Sequence, residues 1–130
     1  MTGKVRFKPV HQYDQAGLMV RVDGICWIKT SVEHEVDEPS KLGVVVTNGG
    51  YSDWSMQNFN PAYDELRLRI SRKASDFIVQ HSQDRAVWEQ LRVAHLSVDE
   101  TVSMDCGLYA CSPKGAGFRA EFDLLRIDRP

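Results

Sequence analysis

Apolar and polar residues alternate with a period of two along most of this chain. Over Asp14 to Asp23, Ala16, Leu18, Val20 and Val22 fall on one face, with Gln15, Met19 and Arg21 on the other. Asp23-Gly24 predicts a hairpin turn. Ile25 to Val36 follows as a long strand, with Cys26, Ile28, Thr30, Val32 and Val36 against Trp27, Lys29, Ser31, Glu33 and Glu35. Leu42 to Thr47 breaks the alternation. It is apolar at nearly every position and predicts a central strand buried on both faces. It ends at Asn48-Gly49-Gly50, where positive φ is cheap. Trp54 to Tyr63 shows no period, contains Asn60-Pro61, and predicts a loop. Leu66, Leu68 and Ile70 then mark a strand with Arg67 and Arg69 behind it. Ser75 to Ser82 and Ala86 to Leu96 follow; the second sets Val87, Leu91 and Val93 against Trp88, Gln90 and Arg92. Val5 to Val10, Cys106 to Cys111 and a closing strand through Phe118, Ala120, Phe122 and Leu124 complete the set. Val87, Leu91 and Ala94 have partly helical spacing, but their β-branched surroundings favour strand. About nine short strands separated by turn signals predict an all-β, mostly antiparallel sandwich or barrel.

Composition narrows the class. A chain of 130 residues, 42% hydrophobic and 26% charged, is one ordinary globular domain. No apolar run approaches the roughly 20 residues of a membrane helix, and MTGKVRFKPV carries no apolar signal segment. The expectation is a cytoplasmic protein with no membrane partner. A net charge of -2 offers no basic surplus for nucleic acid. The three cysteines, Cys26, Cys106 and Cys111, form no CxxC pair and read as reduced thiols. The four histidines are scattered without HxH or HExxH spacing. Asp14, Asn48 and Asp53 are oxygen donors that suit turn capping better than calcium. Ser112 lies in no GxSxG elbow, and neither glycine pair has the form of a phosphate loop. No cofactor and no metal are expected.

The strands' second faces collect the candidate chemistry: Gln15, Trp27, Lys29, Glu33, Glu35, Arg67, Arg69, Trp88 and Arg92. Gathered on one concave sheet, these residues would suit a sugar. Tryptophan stacks on the apolar face of a pyranose, and planar polar groups form paired hydrogen bonds with hydroxyls. The competing reading is a solvated face laced by cross-strand charge pairs. Glu33-x-Glu35-x-Asp37 raises a catalytic alternative. Alternate strand residues lie about 6.5–7 Å apart, and a retaining glycosidase needs carboxyls about 5–5.5 Å apart. Asp37 sits in the turn before Pro39, which misplaces it for such a role.

Seven segments carry a resemblance: YDQAGLMVRVD (Tyr13 to Asp23), WIK (Trp27 to Lys29), LGVVVTN (Leu42 to Asn48), SDWS (Ser52 to Ser55), LRLRISR (Leu66 to Arg72), LRVAHL (Leu91 to Leu96) and GLYACSP (Gly107 to Pro113). In this order they resemble the regulation of enolase protein family, a concanavalin A-like domain of unknown function. That domain is also similar to the C-terminal module of some beta-xylosidases. The resemblance runs from about Val5 to about Phe122. It implies a concanavalin A-like jelly-roll β-sandwich and a non-catalytic recognition role, toward a carbohydrate or a protein such as a metabolic enzyme. A glycoside hydrolase using Glu33 and Glu35 is the alternative. Family members carry further N-terminal strands, which this chain is expected to lack. An edge or face left open in that way predicts a homo-oligomer.

Overall fold

The computed structural model describes residues 1–60, 63 and 65–128. Its ten strands are β1 (Thr2–Lys8), β2 (Gln15–Arg21), β3 (Trp27–Glu33), β4 (Lys41–Asn48), β5 (Tyr51–Asn58), β6 (Glu65–Lys73), β7 (Asp76–Ser82), β8 (Glu89–His95), β9 (Asp105–Cys111) and β10 (Arg119–Arg126). They form two five-stranded sheets, ordered β10-β1-β6-β7-β8 and β5-β4-β3-β2-β9. Every pairing is antiparallel. The N- and C-terminal strands meet in both sheets, β1 beside β10 and β2 beside β9, so each sheet needs both ends of the chain.

The period of two produces the sandwich directly. Ala16, Leu18, Val20, Ile28, Val32, Leu42, Val44 and Val46 from one sheet are buried against Val5, Phe7, Leu66, Leu68, Ile70, Phe77 and Val79 from the other. Thr30 and His81 are polar members of the inward rows. The Thr30 hydroxyl donates to the Gly43 carbonyl at 3.0 Å, while the buried His81 Nδ1 has no hydrogen-bond partner among the described residues.

The structure departs from the sequence reading in four places. Residues 51–58 are a strand, which takes in Trp54 to Asn58 of the expected loop and supplies the tenth element. β5 is an edge strand exposed along its whole length, so burial imposes no apolar period on it. (Pro61, in the Asn60-Pro61 turn signal, lies outside the described residues.) β4 is not central: β3 holds the middle of that sheet. Nor is β4 buried on both faces. Leu42, Val44 and Val46 are buried, while Gly43 and Val45 are half-buried on the outer face. The long strand expected over Ile25 to Val36 is shorter at both ends, Trp27–Glu33. Finally, the β7–β8 register shifts between Val79 and Gln80. That bulge places Arg92 opposite the buried Val79 and turns Val93 outward, 55% exposed.

Candidate functional site

The outer face of the β5-β4-β3-β2-β9 sheet carries three rows of side chains that cross the strands. The middle row is Tyr109, Gly17, Ser31, Gly43 and Met56. On one side run Cys111, Gln15, Glu33, Lys41 and Asn58; on the other run Gly107, Met19, Lys29, Val45 and Trp54. Small residues at the centre of the middle row leave a groove between two walls. Glycine is required in that row at Gly17. A Cβ on Gly17 would fall 1.9 Å from the Thr30 carbonyl oxygen, inside the neighbouring strand. The resulting cavity measures about 320 Å³ and is lined by Gln15, Lys29, Ser31, Glu33, Lys41 and Trp54, among others.

The polar groups in the groove hold one another. Lys29 Nζ donates to Gln15 Oε1 at 2.7 Å and to Tyr109 Oη at 3.1 Å. The same ammonium lies 4.6 Å from the centre of the Tyr109 ring. Gln15 Nε2 donates to the Glu33 carboxylate. Burial lowers the Lys29 pKa against the opposing pull of Glu33. Burial raises the Glu33 pKa, with Glu35 adding to it and Lys29 resisting. Burial and then Cys111 raise the Tyr109 pKa. These groups are therefore partly desolvated and pre-oriented. Trp54 stands beside them 64% exposed, an indole with open surface at the rim.

The single face read from the sequence divides among several places. Gln15, Lys29 and Glu33 come together in the groove. Trp27 shares their face, half-buried and opposite Arg21 and Thr47, but lies outside the cavity. Glu35 lies beyond the end of β3, where Gln12 Nε2 donates to it. Arg67 and Arg69 are on β6 of the other sheet, and Trp88 immediately precedes its edge strand β8. The Arg69 guanidinium stacks 4.1 Å from the centre of the Trp88 ring, and its Nε donates to Gln80 at 2.9 Å. Charge pairs lace that outer face: Lys4 meets Asp123 at 2.8 Å and Glu65 at 3.1 Å, and Arg6 meets both acids as well. Arg92 faces inward and pairs with Asp53 across the gap between the sheets. Alternation tells inside from outside, but it does not say which of two outsides. That is why one predicted face became two.

Trp54, Ser31, Tyr109 and Met56 were not among the sequence candidates. The signal for Trp54 lay in the Gly49-Gly50 turn, which sends the chain straight back along β4 and sets Trp54 opposite Val45. The three oxygen donors lie apart in separate networks. Asp14 accepts from the Val10 and His11 amides and from Ser112. Asn48 bridges to His95 and Ser97, and Asp53 meets Arg92. Among the described residues, no group of three His, Cys, Asp or Glu is placed to hold a metal ion. Among the same described residues, no helix is long and apolar enough to cross a membrane. A larger opening of about 420 Å³ sits at one end of the sandwich, lined by Val20, Ile70, Phe77 and Met104. The nearby Arg72 guanidinium is already spent on the carbonyls of Asp99, Glu100 and Val102.

The family described as "Protein of unknown function (DUF1349)" matches residues 1–130. Regulation of enolase protein 1 from Saccharomyces cerevisiae is 30% identical over 131 residues; the match covers 99% of this chain and 64% of that protein. A solved structure of a functionally unknown protein from Saccharomyces cerevisiae superposes with a TM-score of 0.84 at 30% identity, covering 93% of this chain and 63% of that one. The GH43 protein BlXynB from Bacillus licheniformis gives a TM-score of 0.79 at 16% identity, covering 94% of this chain and 25% of that one. A xylan beta-1,4-xylosidase from Bacillus halodurans gives 0.74 at 18%, with 94% and 26% covered. The last two likenesses show the β-sandwich fold alone. The chain spans a little under two thirds of the yeast relative's length.

Proposed function

We propose that this chain, which belongs to the DUF1349 family, is a non-catalytic recognition domain that binds carbohydrate in the groove over β3 and β4. One observation carries the reading: an indole with 64% of its surface open stands beside the linked Gln15, Lys29 and Glu33 groups in a cavity of about 320 Å³. That is the pairing a sugar ring asks for, an apolar platform next to planar donors and acceptors. Glu33 accepts from Gln15, and Lys29 and Gln15 are already oriented, so little ordering is left for binding to pay for. Three unpaired cysteines support a reducing, cytoplasmic setting.

The hydrolase alternative has weaker support. Glu33 and Glu35 are held by different glutamines, one on β2 and one in the loop before it, and Glu35 has left the strand. A second reading, regulation through contact with a metabolic enzyme, draws on the name of the yeast relative.

Thermal shift against a panel of mono- and oligosaccharides tests the proposal. Saturable stabilisation by one sugar class, abolished by Trp54→Ala, is expected. Glu33→Gln should change affinity and leave no turnover to lose. Release of reducing sugar by the wild type that stops in Glu33→Gln would overturn the non-catalytic reading. Silence across the panel from a folded protein would remove carbohydrate and leave the protein-contact reading.

A further inference from the structure

β5 is an edge strand with only one of the devices that keep edges apart, an inward-pointing charge. The edge strands β8 and β10 pair through register shifts and carry several charges. β9 keeps half-buried residues at alternate positions. β5 pairs with β4 in unbroken register, contains neither proline nor lysine, and is exposed throughout. Its one charge, Asp53, is turned inward and paired with Arg92.

The turn before β5 decides which backbone groups are free. Gly49 and Gly50 have φ of 57° and 86°, as a type I′ turn requires. A two-residue turn closes on a hydrogen-bonded pair, here Asn48 with Tyr51, so Tyr51, Asp53, Ser55 and Gln57 bond to β4. The amides and carbonyls of Ser52, Trp54, Met56 and Asn58 therefore point to the open side.

We infer that this edge receives a second copy of the chain, β5 against β5, antiparallel, about a two-fold axis at Ser55. Residues with outward backbone groups must face one another. A two-fold at Ser55 pairs Trp54 with the second copy's Met56, and Ser52 with the second copy's Asn58. This register uses every outward group from Ser52 to Asn58 and sets no like charges opposite each other. It packs an indole 64% exposed against a thioether side chain 54% exposed, twice, because the contact is isologous. A two-fold at Trp54 leaves Asn58 opposite the turn, and one at Asp53 sets two carboxylates face to face. The chosen register also joins the two grooves end to end, since Trp54 and Met56 end their rows. The inference does not depend on what the groove binds.

Sedimentation velocity over a concentration series is the first test, with a concentration-dependent dimer expected. Register is tested by cysteine. Non-hydrogen-bonded partners sit about 4.5 Å apart at Cα, within disulfide reach. Ser55→Cys should give a dimer linked by disulfide on mild oxidation, above the background of the native thiols. Ser52→Cys, whose partner is the second copy's Asn58, should not. Ser55→Lys sets two ammonium groups on the axis and should return the dimer to monomer with an unchanged circular dichroism spectrum. A wild type that stays monomeric into the millimolar range overturns the inference. So does a dimer in which Ser52→Cys links as readily as Ser55→Cys, or one that survives Ser55→Lys.

Discussion

Asp14 is a carboxylate with no exposed surface, and Asp14→Asn should destabilise the fold by an amount that depends on pH. Val10 N and His11 N both donate to Oδ2 at 2.8 Å, and Ser112 Oγ donates to Oδ1 at 2.5 Å. The cluster pins the loop before β2 to the loop after β9, positions 98 residues apart in sequence. Asparagine can still accept from the two amides, and the serine hydroxyl can turn to accept in its place. What it loses is the charge. A hydrogen bond to a charged partner contributes about 1.5–3 kcal/mol, against about 0.5–1.5 for a neutral one. Each exchange costs about 1–1.5 kcal/mol, so three come to about 3–4.5 kcal/mol at pH 7, less whatever desolvation the neutral side chain is spared. Asp14→Ala strands all three donors and should cost on the order of 3–5 kcal/mol.

Burial pushes the Asp14 pKa up, but the His11 amide, the Ser112 hydroxyl, the Val10 amide and the His11 ring outweigh it, and the net shift is down. A carboxylate lowered in the folded state stabilises fully above its unfolded pKa of about 3.9. That stability disappears as pH falls through the lower folded value. Urea unfolding followed by tryptophan fluorescence, at pH 7 and near pH 3, reads both effects. The gap between wild type and Asp14→Asn should narrow in acid. A gap below about 0.5 kcal/mol at pH 7, or one of equal size at both pH values, would refute this account of the cluster.

Two further outcomes follow from the same packing. Gly17→Ala must drive a methyl group into the Thr30 carbonyl at 1.9 Å. It should cost about 3 kcal/mol or more, or prevent folding, as read by the melting temperature. Trp88→Ala removes the Arg69 stack on the opposite sheet. It should cost about 0.5–1 kcal/mol of stability and leave sugar affinity in the groove unchanged by calorimetry.

The inward half of this fold was legible because burial enforces it. Ala16, Leu18, Val20, Leu66, Leu68 and Ile70 had to alternate, and each is buried where the pattern put it. β5 was illegible for the opposite reason: no face of it is buried, so nothing selects an apolar period. The β4 run LGVVVT looked doubly buried because Gly43 and Val45 are not polar. The structure gives those outward positions to the groove, where small or apolar residues make floor and wall. Of the groove's lining, Gln15, Lys29 and Glu33 were visible in the pattern. Arg67 and Arg69 obeyed the same alternation in a different sheet, with Trp88 just ahead of its edge strand β8, and sheet membership depends on long-range pairing that local pattern does not contain. Arg92 was misplaced by a single bulged residue, which inverts every side chain after it.

The central claim is that one outer face recognises sugar and the other does not. A titration of the isotope-labelled protein with the carbohydrate panel, followed by amide and indole NMR shifts, tests it most directly. The account predicts saturable shifts at Lys29, Ser31, Glu33, Val45 and the Trp54 indole, with Arg69 and Trp88 unmoved. Shifts centred on Arg69 and Trp88, or none with any sugar, would contradict it.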